Sequence, residues 1–263
     1  MTTSITQSCL PDAPWIDPAL SRLPGMKPLE MSDWIRVDDA YADQMARRED
    51  LLASDRDGVL QMDEGARAAA DELLEVVLSA LAERADYDVG ATEVRRPDGV
   101  TVCMDDDPLA VVGRLCQADF CILEKKGEEH VLTGAVLCFP ASWTLDEKFM
   151  RPLSVIHEPV DDYDDNIARR VQRLFDAVKP GRPLWRANAL FYVDAELHQP
   201  RRMDARREQP QGRAPFVRSE RQSILRLPKS DAVIFSIHTY VVAQENLTPK
   251  QAEGLKHSPL TRV

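Results

Sequence analysis

Apolar and polar positions alternate in two registers along this chain, and the change from one to the other divides it. Up to about residue 98 the apolar positions recur at helical spacing. Tyr41, Met45 and Leu52 lie on one face of a helix expected over 38–53, after a shorter helix over 32–37. The clearest helix is expected over 64–83, where Ala70, Leu73, Leu74, Val77, Leu78 and Leu81 form a stripe at i, i+3, i+4 and i+7. A polar stretch over 84–98 closes this region. From residue 99 the pattern becomes strand-like. A short strand is expected over 100–104, and an apolar run over 109–116 reads equally as helix or strand. Strands over 119–125 and 130–139 flank the turn Lys126-Gly127-Glu128-Glu129, a hairpin signal. Thr144 and Glu147 have the spacing of a capping box that opens a short helix. A proline-bearing loop over 151–163 leads to a helix over 164–178, with Ile167, Val171, Leu174, Phe175 and Val178 on its buried side and Pro180, Gly181 and Pro183 at its end. Three more strands are expected over 184–193, 216–227 and 232–243, the last two joined through 228–231. Thr248, Pro249 and Gln251 open a final helix with an N-cap, a proline at the first position and a reciprocal cap. The arginine-, glutamine- and proline-rich segment 199–215 reads as a surface loop.

The succession is strand, strand, short helix, loop, helix, strand, strand, strand. It predicts an α+β fold with a five-stranded antiparallel sheet and flanking helices, the PAS pattern. The division is then an N-terminal helical extension, 1–98, packed on a core, 99–263.

Composition removes several classes of function. With 263 residues and 44% apolar content, the chain can bury a large core. A net charge of −11 argues against a nucleic-acid binder, which needs a basic stripe. It also argues against an anionic membrane surface as partner. No apolar run is long enough to span a bilayer, and the first fifteen residues lack the basic and apolar parts of a signal peptide. The five cysteines (Cys9, Cys103, Cys116, Cys121 and Cys138) are odd in number and have no CxxC spacing. That pattern predicts a reducing, cytoplasmic setting and excludes a local zinc or iron–sulfur motif.

Four segments carry a resemblance to a known family: SRLPGMKPLEMSDWIRVDDAYADQMARREDLL, LCFPASWTLDEKFMRPLSVIHEPV, RLFDAVKPGRPLWRANAL and RSERQSILRLPKSDAVIFSIHTY. In order and spacing, over about residues 21–243, they resemble the haem-dependent oxidative N-demethylases. The resemblance implies a PAS-like haem b subunit, with one axial histidine, that removes a methyl group from a small secondary amine such as dimethylamine as formaldehyde. It implies O₂ as co-substrate, and electrons from NADPH through FMN and a 2Fe–2S centre on a separate reductase subunit. The chain departs from the expected family pattern at Asp161, Asp162, Ala189 and His238.

A haem oxygenase needs an axial ligand, an open opposite site and polar groups around it. His130, His198 and His257 lie beside charged or polar sequence and are expected to be exposed. His157 follows an apolar stretch, and Pro159 stiffens the segment behind it. Its residue pattern also suits an ordinary loop histidine, and the resemblance implies the axial ligand. Cys121 and Cys138 are alternative ligands but read better as small buried hydrophobes. His238 and Tyr240 are candidates for a polar wall over bound O₂, and Tyr163 for a phenol donor closing the pocket. On the strand from 216, Glu220 and Gln222 share one face and Arg221 points the opposite way. Glu220 is a candidate holder of a substrate ammonium group. Arg221 and Gln222, with Arg186 and Asn188 on the preceding strand, are candidates to hold the cofactor, arginine being a bidentate partner for a carboxylate. Two other readings stay open: a haem-based gas sensor of the same fold, and a haem-free scaffold.

Overall fold

The computed structural model describes residues 5–20, 25–157, 165–205, 214–257 and 260. The strands are β1 (Lys27–Pro28), β2 (Leu60–Met62), β3 (Asp88–Val89), β4 (Glu93–Arg95), β5 (Thr101–Cys103), β6 (Ala118–Lys126), β7 (Glu129–Val136), β8 (Leu184–Tyr192), β9 (Phe216–Arg226) and β10 (Val233–Ala243). The helices are α1 (Tyr41–Ser54), α2 (Arg56–Val59), α3 (Arg67–Ala82), α4 (Pro108–Leu115), α5 (Leu145–Lys148), α6 (Leu153–His157), α7 (Asp165–Ala177) and α8 (Pro249–His257). The fold is mixed α+β, built on one large antiparallel sheet in the order β1-β8-β9-β10-β6-β7-β2.

The five long strands occupy the centre, as the apolar pattern predicts. Two short edge strands extend the expected five to seven. Lys27 and Pro28 pair with Trp185 and Leu184, and Leu60–Met62 pairs with Val136 to Gly134. Strands of two or three residues have no readable period, and only their tertiary partners define them. A second correction lies between residues 84 and 104. The polar stretch holds β3 and β4, which join β5 in a separate three-stranded sheet. The ambiguous run after them is the helix α4. Asp107 accepts a hydrogen bond from Leu109 N at its N-terminus, and Pro108 occupies its first turn. The loop expected over 151–163 contains a short helix instead, and His157 is its last residue. The turn between β6 and β7 uses Gly127 at φ 67°, where a side chain would be strained.

The sheet is a middle layer. On one face Phe120, Ile122, Ile234 and Leu225 pack with Trp34, Met45, Leu73, Val77 and Leu109 from the N-terminal segment and α1, α3 and α4. On the other face Cys121, Leu123, Leu132, Ile224, Val233 and Ile237 pack with Leu145, Leu153 and Phe175 from α5, α6 and α7. Covered on both sides, β9 and β10 bury nearly every residue, which removes the simple in–out alternation of a half-exposed strand. At the C-terminus Gln251 Oε1 accepts from Thr248 N and Thr248 Oγ1 accepts from Gln251 N, the reciprocal cap expected from sequence. At α5 no such cap forms: the Thr144 hydroxyl donates to Glu147 Oε2 at 2.7 Å rather than capping the backbone.

Candidate functional site

Strand parity decides which side chains meet. Arg186 lies opposite Gln222, Asn188 opposite Glu220, and Gln222 opposite Ile237, so these residues share the face that looks toward α7. They border a cavity of about 280 Å³ between the sheet and α5, α6 and α7. Its apolar walls include Leu123, Leu132, Ile224, Phe235, Leu153 and Leu174. Its polar groups are few: Arg186, Glu220 and Gln222 from the sheet, Lys148 from α5, and Arg170 from α7.

Glu220 is held firmly. Its Oε2 accepts from Asn188 Nδ2 at 3.1 Å and Gln222 Nε2 at 2.9 Å, while its backbone N donates to Asn188 Oδ1. Asn188 therefore acts behind the carboxylate rather than on the cavity wall. Arg218, two residues earlier, donates to the carbonyl oxygens of Leu197 and Phe139 and stands 3.9 Å from Glu220 Oε1. Arg186 is different. Its Nε is buried with no hydrogen-bond partner among the described residues. Burial lowers its pKa, with Glu220 pulling the other way. A cation held in an apolar cavity without an acceptor marks a place for an anionic group.

Lys148 and Trp143 were not among the residues singled out from sequence. Lys148 Nζ donates to Ile156 O at 2.9 Å and lies 4.9 Å from the Trp143 ring centre. Burial pushes its pKa down to about 8, against weaker upward pulls from Cys121 and Glu147. Both residues lie in the segment LCFPASWTLDEKFMRPLSVIHEPV, so the signal was present, but helix α5 is too short to show a facing stripe. Cys121 also lines the cavity, and burial pushes its thiol up to about 12, which suits a packed side chain rather than a thiolate ligand.

Arg221, His238 and Tyr240 do not meet Arg186 and Glu220, which corrects the expectation of one shared pocket. Neighbouring residues on a strand point to opposite faces, and Arg221 pairs across β10 with His238, on the far side of the sheet. There Arg221 donates to Asp33 Oδ2 at 2.7 Å and stacks 4.6 Å from the Trp185 ring centre. His238 Nε2 donates to Asp38 Oδ2 at 3.0 Å. Arg36 binds Asp33 and Asp12 and reaches the Tyr240 hydroxyl at 3.4 Å. A more open groove of about 350 Å³ borders Asp33, Arg36, Asp38 and Tyr240. Its charged walls already have partners.

His130 also departs from expectation. It is fully buried, 5.5 Å from the Phe175 ring, and its Nδ1 accepts from Gln172 Nε2 at 2.8 Å. Helix α7 laid over β7 buries it, a contact that local sequence does not show. His198 is half-buried, with Nδ1 2.8 Å from Cys138 O, and His257 is exposed. The His157 side chain and the whole of Tyr163 lie outside the described residues, although Leu153 and Ile156 of the same short helix line the cavity.

A family model described as haem-dependent oxidative N-demethylase, alpha subunit-like, matches residues 25–258. The chain belongs to this family. The match takes in both faces of the sheet, the residues that line the cavity and every described site residue above except Asp12. As a haem-dependent oxidative N-demethylase alpha-subunit-like protein, the chain is an oxidoreductase subunit by family, and an alpha subunit implies a partner subunit. Among the described residues no helix is long and apolar enough to cross a membrane. None of their histidine, cysteine and acidic side chains cluster in threes to hold a bare metal ion.

Proposed function

We propose that the chain is the haem-bearing oxygenase subunit of an enzyme that removes a methyl group from a small secondary amine, with dimethylamine the type substrate, on a PAS-like scaffold. The observation that carries this reading is the pair of opposite charges inside one apolar cavity: Arg186, with its buried Nε lacking an acceptor, and Glu220, braced by two amides. The sheet order, in which the first long strand pairs with the last, supports the PAS-like part.

Haem b suits this donor set. Apolar walls would pack on its ring, and Arg186 and Arg170 would pair with its carboxylates. His157, at the end of the helix that supplies Leu153 and Ile156 to the wall, is the residue that would hold the haem iron. The cavity walled by described residues, about 280 Å³, is at the small end for a ligand site.

When bound, haem supplies binding and activation of dioxygen. The chain's own residues do the rest. Glu220 would accept a hydrogen bond from the ammonium form of the amine and so fix the orientation of its N-methyl groups in the cavity. Asn188 and Gln222 fix the carboxylate so that little ordering is needed on binding. The apolar walls exclude water, and Tyr163 is the proposed phenol donor. The hydroxylated methyl collapses to formaldehyde and the primary amine. Two electrons per turnover come from NADPH through FMN and a 2Fe–2S centre on the partner subunit, in the cytoplasm. On this reading Arg221, His238 and Tyr240 support the sheet from behind and touch neither haem nor substrate.

The test is formaldehyde release from dimethylamine in the presence of NADPH and a competent reductase, together with the visible spectrum. A Soret band that shifts on adding the amine, and that His157→Ala abolishes, is the expected result. Release of no formaldehyde from any N-methylamine overturns the proposal.

A further inference from the structure

Lys148 stands apart from the other lysines of the chain. Lys27, Lys125, Lys126, Lys229 and Lys256 each lie within ion-pair distance of a carboxylate. Lys179 and Lys250 are exposed. Lys148 faces the cavity, and no carboxylate oxygen of the described residues lies within 4.0 Å of its Nζ. Its neighbours are the Trp143 ring and the Ile156 carbonyl. Lys148 is half-buried, with the cavity on one side of it and the Trp143 ring and Ile156 carbonyl on the other.

We propose that Lys148 is a covalent, reversible acceptor for a small aldehyde formed in or entering this cavity. That the aldehyde is formaldehyde made on site rests on the demethylation reading; the reactivity of the amine does not. In the step, the Nζ lone pair attacks the carbonyl carbon and a C–N bond forms. The carbonyl π pair moves to oxygen, which takes a proton while nitrogen loses one, giving a carbinolamine. Loss of its hydroxyl as water leaves an imine, and addition of water reverses the sequence and returns the aldehyde. No oxidant or reductant is consumed. The residue thus serves as a holding point that delays escape of a reactive product.

The electrostatics favour the neutral amine this step needs. With a pKa of about 8, roughly a quarter of Lys148 is unprotonated at pH 7.5, against about 0.1% for an ordinary lysine. The charged or titratable groups facing it are Glu147 on its own helix, Cys121 on β6, Arg186 on β8, Glu220 on β9 and Arg170 on α7. Those five are two cations, two carboxylates and a thiol kept neutral by burial.

The experiment exposes the haem-loaded protein to limiting formaldehyde with cyanoborohydride, which traps the imine as a methylamine, and follows each lysine by peptide mass spectrometry. Lys148 should be methylated at least ~10-fold faster than Lys179 and Lys250, with a rate that rises through a midpoint near pH 8. Methylation no faster than at the exposed lysines, or a midpoint near ordinary lysine values, overturns the proposal. Lys148→Arg keeps a cation over Trp143, and in it the total methylation captured early in the reaction should fall, with Lys179 and Lys250 labelled no more slowly than in the wild type. Early capture as large in the variant as in the wild type overturns the proposal. Because the aldehyde is added, the result is independent of turnover. A second arm uses dimethylamine with deuterated methyl groups under turnover. Deuterium on Lys148 ties the aldehyde to demethylation. Labelling by added aldehyde, with no formaldehyde released from the amine, overturns the demethylation reading and leaves the acceptor standing.

Discussion

The two faces of the central sheet carry charge in opposite ways. Behind the sheet, Asp12, Asp33, Arg36, Asp38, Arg221 and His238 are bound to one another. Asp38 alone accepts from Gln7, Gln117, His238 and its own Ala40 N. Toward α7 the charges are sparse, and Arg186 lacks an acceptor at a buried nitrogen. Buried polar groups that satisfy one another hold a fold together, whereas one left unfinished is a cost that a ligand can remove. Arg221 and His238 also leave one nitrogen without a hydrogen-bond partner, but each holds a carboxylate through another, whereas no carboxylate of the described residues lies within 4.0 Å of Arg186. The presence of an ion pair, rather than of His, Arg or Tyr as such, separates the two faces.

The largest expected effect lies on the paired face. Asp38→Ala strands buried Gln7, Gln117 and His238 together and should remove at least ~3 kcal/mol of stability by urea unfolding. A loss under ~1 kcal/mol would show that this network is not structural. On the cavity face the order reverses. Glu220→Gln keeps an amide oxygen for Asn188 and Gln222, so stability should change by less than ~1 kcal/mol. Its kcat/KM for the amine should fall ~100-fold. A smaller step is expected for Arg186→Met, with haem affinity lowered ~10-fold while the haem-free protein is as stable or more so, because an unpaired buried cation is gone. Haem titration and thermal melting of the haem-free form measure the two halves separately. A destabilised variant with unchanged haem affinity would place Arg186 with the structural group.

The smallest effect is on pH dependence. Burial pushes the Asp38 carboxyl up, but hydrogen bonds from His238, Gln117 and Gln7 bring it below the ordinary value overall. Its folded pKa is thus depressed, so its contribution is complete above the unfolded value of about 3.9 and is lost as pH falls through the folded one. The urea midpoint of the wild type should decline below about pH 4, and Asp38→Ala should flatten part of that decline. Parallel curves for the two proteins would remove Asp38 from the acid response.

The long elements were legible because each carries enough residues for a period and ends at a turn, as β6 and β7 do at Gly127. The α3 stripe and the α8 cap were legible for the same local reason. Edge strands β1 and β2 were not, because pairing with β8 and β7 creates them. Within the site, alternation puts Glu220 with Gln222, and Arg186 with Asn188, each on one face of its own strand; the register that brings the two pairs together shows only in the pairing of β8 with β9. The same rule puts Arg221 on the opposite face, and the register of β10 against β9 brings His238 and Tyr240 to that face with it. His130 and Lys148 were missed for a shared reason. Their burial comes from α7, and from the packing of α5 and α6, so a neighbour far along the chain determines each environment.

The final strand, β10, lies between β9 and β6 and supplies Phe235 and Ile237 to the cavity. A ribosome must therefore deliver residue 237 before the chamber has a complete floor, and the hairpin begun at residue 118 waits for its inner neighbour until then. On the proposed reading of this cavity as the haem site, a nascent chain stalled short of residue 233 would lack part of the surface that receives the haem.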